Sequence, residues 1–404
     1  MHTHFRSLFF VGAMVAITQL SGCAALDAGK DFASGAFYSM LGGKDNSQPP
    51  AKLIEYQPEL EITELWNAQV GSGTNGQKLE LGIAISYGKL FVADSDGLIQ
   101  ARDAATGDLV WEQETDYAFS AGPGVGNETL VMGGSRANVA AFNIENGEKI
   151  WTANVSSEVL AVPVIADNIV IIRTIDGKVF ALDEKDGKQL WVFERDVPAL
   201  SIRGLSRPVI VEGSAVVGFA NGKLAALRLT DGKLMWEATV AIPSGRSEVD
   251  RLVDLDADPV ESDGVIFVSS YQAGTAGILE VDGDILWRNE NVSSASGMSV
   301  DWRYLYITDT QSQVWQLDQR NGASLWKQDE LLNRQLTAPR VYQDYVVVGD
   351  FEGYVHWLSY SDGRQMARTK LTGSAIETQP VVVDKTVYVY AKDGTLAAFQ
   401  VTEK

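Results

Sequence analysis

Beyond about residue 58 the apolar positions fall into short β-branched runs. They alternate with polar positions over five or six residues, then give way to a polar residue followed by glycine. The stretch 168–191, NIVIIRTIDGKVFALDEKDGKQLW, carries the whole unit. Ile169 to Ile172 form an apolar run, Asp176-Gly177 a tight turn and Lys178 to Asp183 an alternating run. Asp186-Gly187 is a second turn, and Trp191 lies on a last short strand. Asp-Gly and Asn-Gly supply the positive φ that two-residue hairpin turns require. Ten residues from turn to turn leave room for one strand of ordinary length. Val179 and Ala181 then face one side of the sheet, and Phe180 and Leu182 the other.

The unit recurs. Gly97, Gly107 and Trp111 repeat the spacing, as do Gly222, Gly232 and Trp236. Tryptophans stand at 66, 111, 151, 191, 236, 287 and 326, and an eighth place near 367 holds Gly353, Gly363 and Ala367 instead of tryptophan. A period of 40–50 residues fits one four-stranded antiparallel sheet. Such a sheet, apolar on both faces, must stack on copies of itself, and radial stacking gives an all-β propeller. The predicted fold is an eight-bladed β-propeller over residues 58–404, with seven blades the rival count. Trp66, Trp111, Trp151, Trp191, Trp236, Trp287 and Trp326 are expected to wedge neighbouring blades. Nothing strand-like precedes Trp66, and the last segment supplies only three strands. The strand around Leu65 to Ala68 is therefore expected to complete the final blade and remove an open edge.

The amino-terminal end sets an expectation of compartment. Arg6 is followed by the apolar run LFFVGAMVAI at residues 8–17. That is shorter than the roughly 20 residues of a membrane-spanning helix and fits a secretory signal. It ends in Leu20-Ser21-Gly22-Cys23, which resembles a bacterial lipobox. Cys23 is the only cysteine, so it has no disulfide or metal companion within the chain. The resemblance implies a signal peptide over 1–22, lipidation (palmitate among the acyl groups) at Cys23, and a flexible tether over 23–57 with a short helix around Ala33 to Leu41. With Ala24 after the cysteine, it implies an outer-membrane lipoprotein anchored on the periplasmic face.

Composition narrows the functional classes. Without residues 1–22 the chain carries 32 basic and 53 acidic residues, a net charge of −21. That disfavours phosphate backbones and anionic lipid surfaces, so nucleic-acid binding is not expected. His356 is the one histidine outside the leader. No histidine-based triad, zinc cluster or catalytic thiol can be assembled. Asp254, Asp256 and Asp258 alternate, but Pro259 and Val265 stand where an EF-hand needs Gly and Glu. No enzyme activity, cofactor or metal is expected.

The repeat is interrupted in two neighbouring places. One is Val197 to Gly204, VPALSIRG, and the other is Ala241 to Pro259, AIPSGRSEVDRLVDLDADP. Both follow a blade's tryptophan, which puts them on one face, where repeat proteins tend to carry function. Leu200 and Ile202 could bury against a partner with Arg203 beside them, and Asp254 and Asp256 could pair with a partner's basic groups. Equally, the two apolar residues could line an inner strand and the acids cap turns.

Two family resemblances bear on this choice. The Gly-turn-Trp unit resembles the blades of pyrroloquinoline-quinone dehydrogenases, the enzyme alternative. That family's paired cysteines and calcium-binding acids have no counterpart here. A propeller sensing a small molecule in its central channel is a third class. The lipobox, leader, tryptophan-docked blades, LSIRG at 200–204 and SEVDRLVDLDADP at 247–259 are together similar to the BamB family of outer-membrane β-barrel assembly lipoproteins. That resemblance implies a scaffold whose Leu200, Ile202, Arg203, Asp254 and Asp256 dock on a periplasmic POTRA domain of BamA. It implies indirect contact with the complex's other lipoproteins and a role in delivery and insertion of unfolded barrel precursors. Ile202 departs from the family's leucine and keeps apolar volume.

Overall fold

The computed structural model describes residues 48–402 apart from Leu205. Cys23, the leader and the helix expected at 33–41 lie outside the described residues. The described chain contains eight antiparallel sheets of four strands, one of which gains a short fifth strand. Blade 3 is typical, with strands Val164–Ala166, Ile169–Arg173, Lys178–Asp183 and Gln189–Glu194 running from the ring's centre outward. Each strand pairs with the next in sequence. Eight apolar clusters sit between neighbouring blades. Val179 and Ala181 belong to the cluster shared with blade 4, and Phe180 and Leu182 to that shared with blade 2, which is the expected alternation.

Blade 8 closes the ring. Glu61–Gln69 is its outer strand and pairs with Thr395–Thr402, in register from Glu61 opposite Thr402. The tyrosines at 388 and 390 then pack with Leu90 and Val92 of blade 1.

Each of the seven tryptophans reaches into the following blade. Its indole N–H donates to a backbone carbonyl there at 2.7–3.1 Å. Its ring lies on the glycine of that blade's second turn. A methyl group built on Gly187 would stand 2.6 Å from the Trp151 indole, and the same holds for Gly232 against Trp191. The second glycine therefore does more than turn the chain. With φ near +72° it makes the hairpin, and its bare Cα is the seat of the preceding blade's tryptophan.

Blade 7 departs from this scheme in a compensated way. Opposite Trp111, Trp151, Trp191 and Trp236 the third strand carries alanine. In blade 7 the pair is Trp357 opposite Ala367, the same two residue types exchanged. The physical reason lies in blade 8, whose two outer strands come from opposite ends of the chain. No turn joins them, so there is no glycine for a tryptophan at 367 to sit on. Trp357 is instead fully buried against Phe399, edge to face.

A β-bulge recurs beside every tryptophan position. In blade 3, Trp191 pairs with Ala181 and Gln189 with Leu182, which leaves Leu190 unpaired. Such bulges interrupt the ladder along each outer strand. The bulge residue is apolar in all blades, and seven copies, from Leu65 to Leu325, are 43–50% exposed. In blade 7 the copy is Met366, only 9% exposed. Its cover is the segment preceding the closing strand. Glu59 N–H donates to the Met366 carbonyl at 2.8 Å, and Ala51 N–H to that of Leu332 at 2.8 Å. Arg334, buried and paired with Asp350, holds the Ala51 carbonyl at 3.0 Å. Residues 51–57, expected as part of a free tether, are thus fixed to the propeller, and the compact unit begins at Pro50.

Candidate docking site between the third and fourth blades

The turn between a blade's second and third strands and the connection leaving its fourth strand meet on one face. Gly177 lies against the Arg195 carbonyl and Gly222 against that of Ala241. On this face the connections 195–208 and 241–259 lie side by side. The alternation of Asp254, Asp256 and Asp258 aims three carboxylates from the second connection at the first. Asp254 Oδ1 accepts the Ile202 N–H at 3.0 Å, and Asp258 Oδ1 accepts the Arg207 N–H at 2.6 Å. Two acids thereby clamp the backbone of the neighbouring loop, which has no strand partner of its own. The clamp is itself anchored. Leu255 is buried against Gly218, and Tyr271 N–H donates to the Asp254 carbonyl at 3.1 Å.

Asp256 lies near Arg173, a cation at the end of an otherwise apolar strand. The buried Arg173 guanidinium donates to the Ser206 carbonyl at 2.5 Å and hydroxyl at 2.9 Å, and stacks over Phe219 at 5.6 Å. Burial pulls its pKa down to about 10, against the opposing charges of Asp256 and Asp258. Burial, then the neighbouring Asp254 charge, pushes Asp256 up to about 8, while Arg173 and Lys78 oppose the shift. Burial also raises Asp254, against the Ile202 hydrogen bond. One oxygen of each of these two carboxylates lacks a protein partner.

The clamped loops enclose a groove of about 250 Å³, with Leu160, Ile175, Val197, Ile202 and Phe219 on its apolar walls. Leu200 projects beside it, 41% exposed. Arg203 extends from the rim and is held by both Glu158 oxygens, at 2.9 and 3.0 Å. This fork-on-carboxylate geometry fixes the guanidinium plane while leaving about half of the side chain in solvent.

Of the five residues singled out by sequence, Leu200 and Arg203 face outward and Ile202 is half-buried in the groove wall. Asp254 is 1% exposed and gives Oδ1 to the Ile202 N–H, so in this structure it positions the loop that carries Ile202. Asp256 is half-buried and faces Arg173. Glu158, Arg173 and Asp258 were not foreseen. Arg173 left a signal, a charge ending the apolar run NIVII; Glu158 left none.

Comparison with known proteins gives the family. The model described as "Outer membrane protein assembly factor BamB" matches residues 95–328 and 329–403. Proteins of that name from Yersinia pestis (34% identical over 98% of this chain and 99% of theirs) and Pseudomonas aeruginosa (37% over 90% and 96%) align almost throughout. Among solved structures, BamB from Moraxella catarrhalis superposes with a TM-score of 0.78 at 25% identity, covering 84% of this chain and all of that one. The quinohemoprotein alcohol dehydrogenase of Comamonas testosteroni superposes at 0.66 over 84% of this chain and 76% of its own, but at 12% identity that likeness is one of fold. A family model over most of the chain and relatives of 34% and 37% identity aligned almost end to end show the same thing: the chain belongs to the BamB family of outer-membrane protein assembly factors.

Proposed function

We propose that the chain is a non-catalytic scaffold of outer-membrane β-barrel assembly. It docks on a POTRA domain of BamA through the groove between blades 3 and 4 and assists delivery and insertion of barrel precursors. Cys23, lipidated, holds it to the periplasmic face of the outer membrane. From Cys23 to Pro50 a fully extended chain would reach roughly 90 Å.

The observation that carries the reading is the Asp254–Ile202 clamp. It spends a buried carboxylate on presenting a loop that contributes little to the propeller's own core, with Leu200 exposed and Arg203 set by Glu158. Preorganisation of this kind lowers the ordering cost of association. An apolar anchor beside a fixed guanidinium suits the centre of a protein interface. Arg203→Ala and Leu200→Asp each should reduce co-purification of BamA by tenfold or more without lowering thermal stability. Undiminished capture by both variants would remove the docking assignment. Loss of radiolabelled palmitate in Cys23→Ala tests the anchor separately.

A further inference from the structure

The outer edge of blade 7 is not bare. Residues 54–59 run beside it. Besides the bond from Glu59 N–H to the Met366 carbonyl, Arg364, two residues before the bulge, takes the Glu59 carboxylate at 3.0 and 3.2 Å. Arg368, two residues after it, stacks on Tyr56 at 5.5 Å and donates to the Ile54 carbonyl at 3.3 Å. This edge is therefore a worked example of how a blade of this ring accepts an extended polypeptide. The parts are a cation two positions before the bulge, an apolar bulge residue whose carbonyl accepts a backbone N–H, and a second cation two positions after it.

The other outer edges can be ranked by these parts. The position before the bulge holds Asp108, Glu148 and Asp284 in blades 1, 2 and 5, and Ala323 and Thr63 in blades 6 and 8. Only blades 3 and 4 keep a cation, Lys188 and Lys233. In blade 4 the position after the bulge is Glu237, already held by Arg195 and by Lys223 at 2.7 Å. In blade 3 it is Val192, 47% exposed like the bulge residue Leu190. Lys188 pairs with Asp186 across an exposed surface, as Arg364 pairs with Asp362 while also holding Glu59. Such a pair is weak enough to admit a second carboxylate. Blade 3's edge thus keeps the first cation and the apolar bulge residue, with exposed Val192 in place of the second cation and no occupant among the described residues, and runs directly into the connection that carries Val197 and Leu200.

We infer that the outer strand of blade 3, Gln189–Glu194, is a binding edge for an extended polypeptide segment in which a carboxylate adjoins an aliphatic residue. The carboxylate meets Lys188, a backbone N–H meets the Leu190 carbonyl, and the aliphatic side chain covers Leu190 and Val192. The proposal is independent of the groove's assignment to BamA.

A fluorescent peptide copying residues 51–62, AKLIEYQPELEI, is a suitable probe, read by anisotropy with the full-length protein. Saturable binding is expected in the range of tens to hundreds of micromolar. Lys188→Glu or Leu190→Asp should weaken it at least fivefold, as should Glu→Gln at the peptide position copying Glu59. All of these sites are exposed, so the variants keep their melting temperature. Leu325→Asp on blade 6 should change nothing, and Lys188→Glu should leave capture of BamA intact. The inference falls if no saturable binding is found at millimolar protein, or if Lys188→Glu and Leu190→Asp bind as the parent does. It falls too if Arg364→Ala alone controls binding, because the peptide then exchanges on blade 7. A concentration-dependent dimer abolished by Leu190→Asp would assign the edge to a second copy of the chain and overturn it likewise.

Discussion

Gly187 has no room for a side chain because the Trp151 indole, one blade back, occupies that space at 2.6 Å. Alanine there must displace a ring whose N–H is bonded to the Glu184 carbonyl at 2.7 Å, and must also hold a positive φ. The two costs together come to about 2–4 kcal/mol. Gly213 is the control, since its φ is +74° but nothing lies near its Cα. Gly213→Ala should cost about 1 kcal/mol. Urea unfolding of the two variants should separate by at least the difference. Equal losses would mean that the turn alone, and not the indole, demands glycine.

Trp357 and Trp151 are both buried, but only Trp151 uses its indole N–H; that of Trp357 has no partner. Replacement by phenylalanine removes a donor in both. In Trp151→Phe it strands the Glu184 carbonyl, while in Trp357→Phe it relieves an unsatisfied group. Trp151→Phe should therefore be the more damaging by about 1–2 kcal/mol in the same unfolding measurement.

The clamp predicts a difference between two changes at Asp254. Asp254→Asn keeps an oxygen for the Ile202 N–H and should preserve both stability and BamA capture. Asp254→Ala frees the loop, so limited proteolysis should cut within residues 196–204 faster, and capture should drop about tenfold. Equal behaviour of the two variants would show that the Ile202 contact does not hold the loop.

Two carboxyls with raised pKa values give a pH signature. Asp256 is raised to about 8, and Glu80 to about 7 by burial and then the Asp258 charge. Asp254, Arg173, Lys78 and Glu80 are the charged groups that act on Asp256. In the unfolded chain Asp256 loses its proton near pH 3.9, whereas the folded chain retains it to about 8. Between those values the native state binds more protons, so this contribution to stability is full at low pH, falls as pH rises and levels off above about 8. The slope is at most about 1.4 kcal/mol per pH unit. Asp256→Asn removes the titration. Its stability relative to the parent should rise from pH 5 to pH 8 in chemical unfolding, and a flat difference would contradict the assignment.

Much of the ring was legible because its determinants are local. Gly177 and Gly187 mark turns by φ, Val179 to Leu182 mark two faces by alternation, and the tryptophan period counts blades. The lone strand at Leu65 implied closure because an unpaired edge would otherwise remain. What escaped depends on contacts between periods. That Gly187 serves Trp151, rather than its own Trp191, cannot be seen within one repeat. Nor can the Trp357–Ala367 exchange, which answers to a turn that blade 8 lacks. At the candidate site the two broken repeats and the acids at 254–258 were visible. Their use was not, because whether Asp254 meets water, a partner or the Ile202 backbone depends on how two loops settle against each other.

Closing the circle with a strand from the far end of the sequence also fixes an order in time. Thr63 meets Thr402 at a sequence separation of 339, so the last staple waits until the strand around Thr402 has emerged. Until then blades 1 to 7 can stack as a growing arc, each on the one before. The two ends of that arc stay sticky, and closure is a single late, long-range event whose search is slow compared with any hairpin.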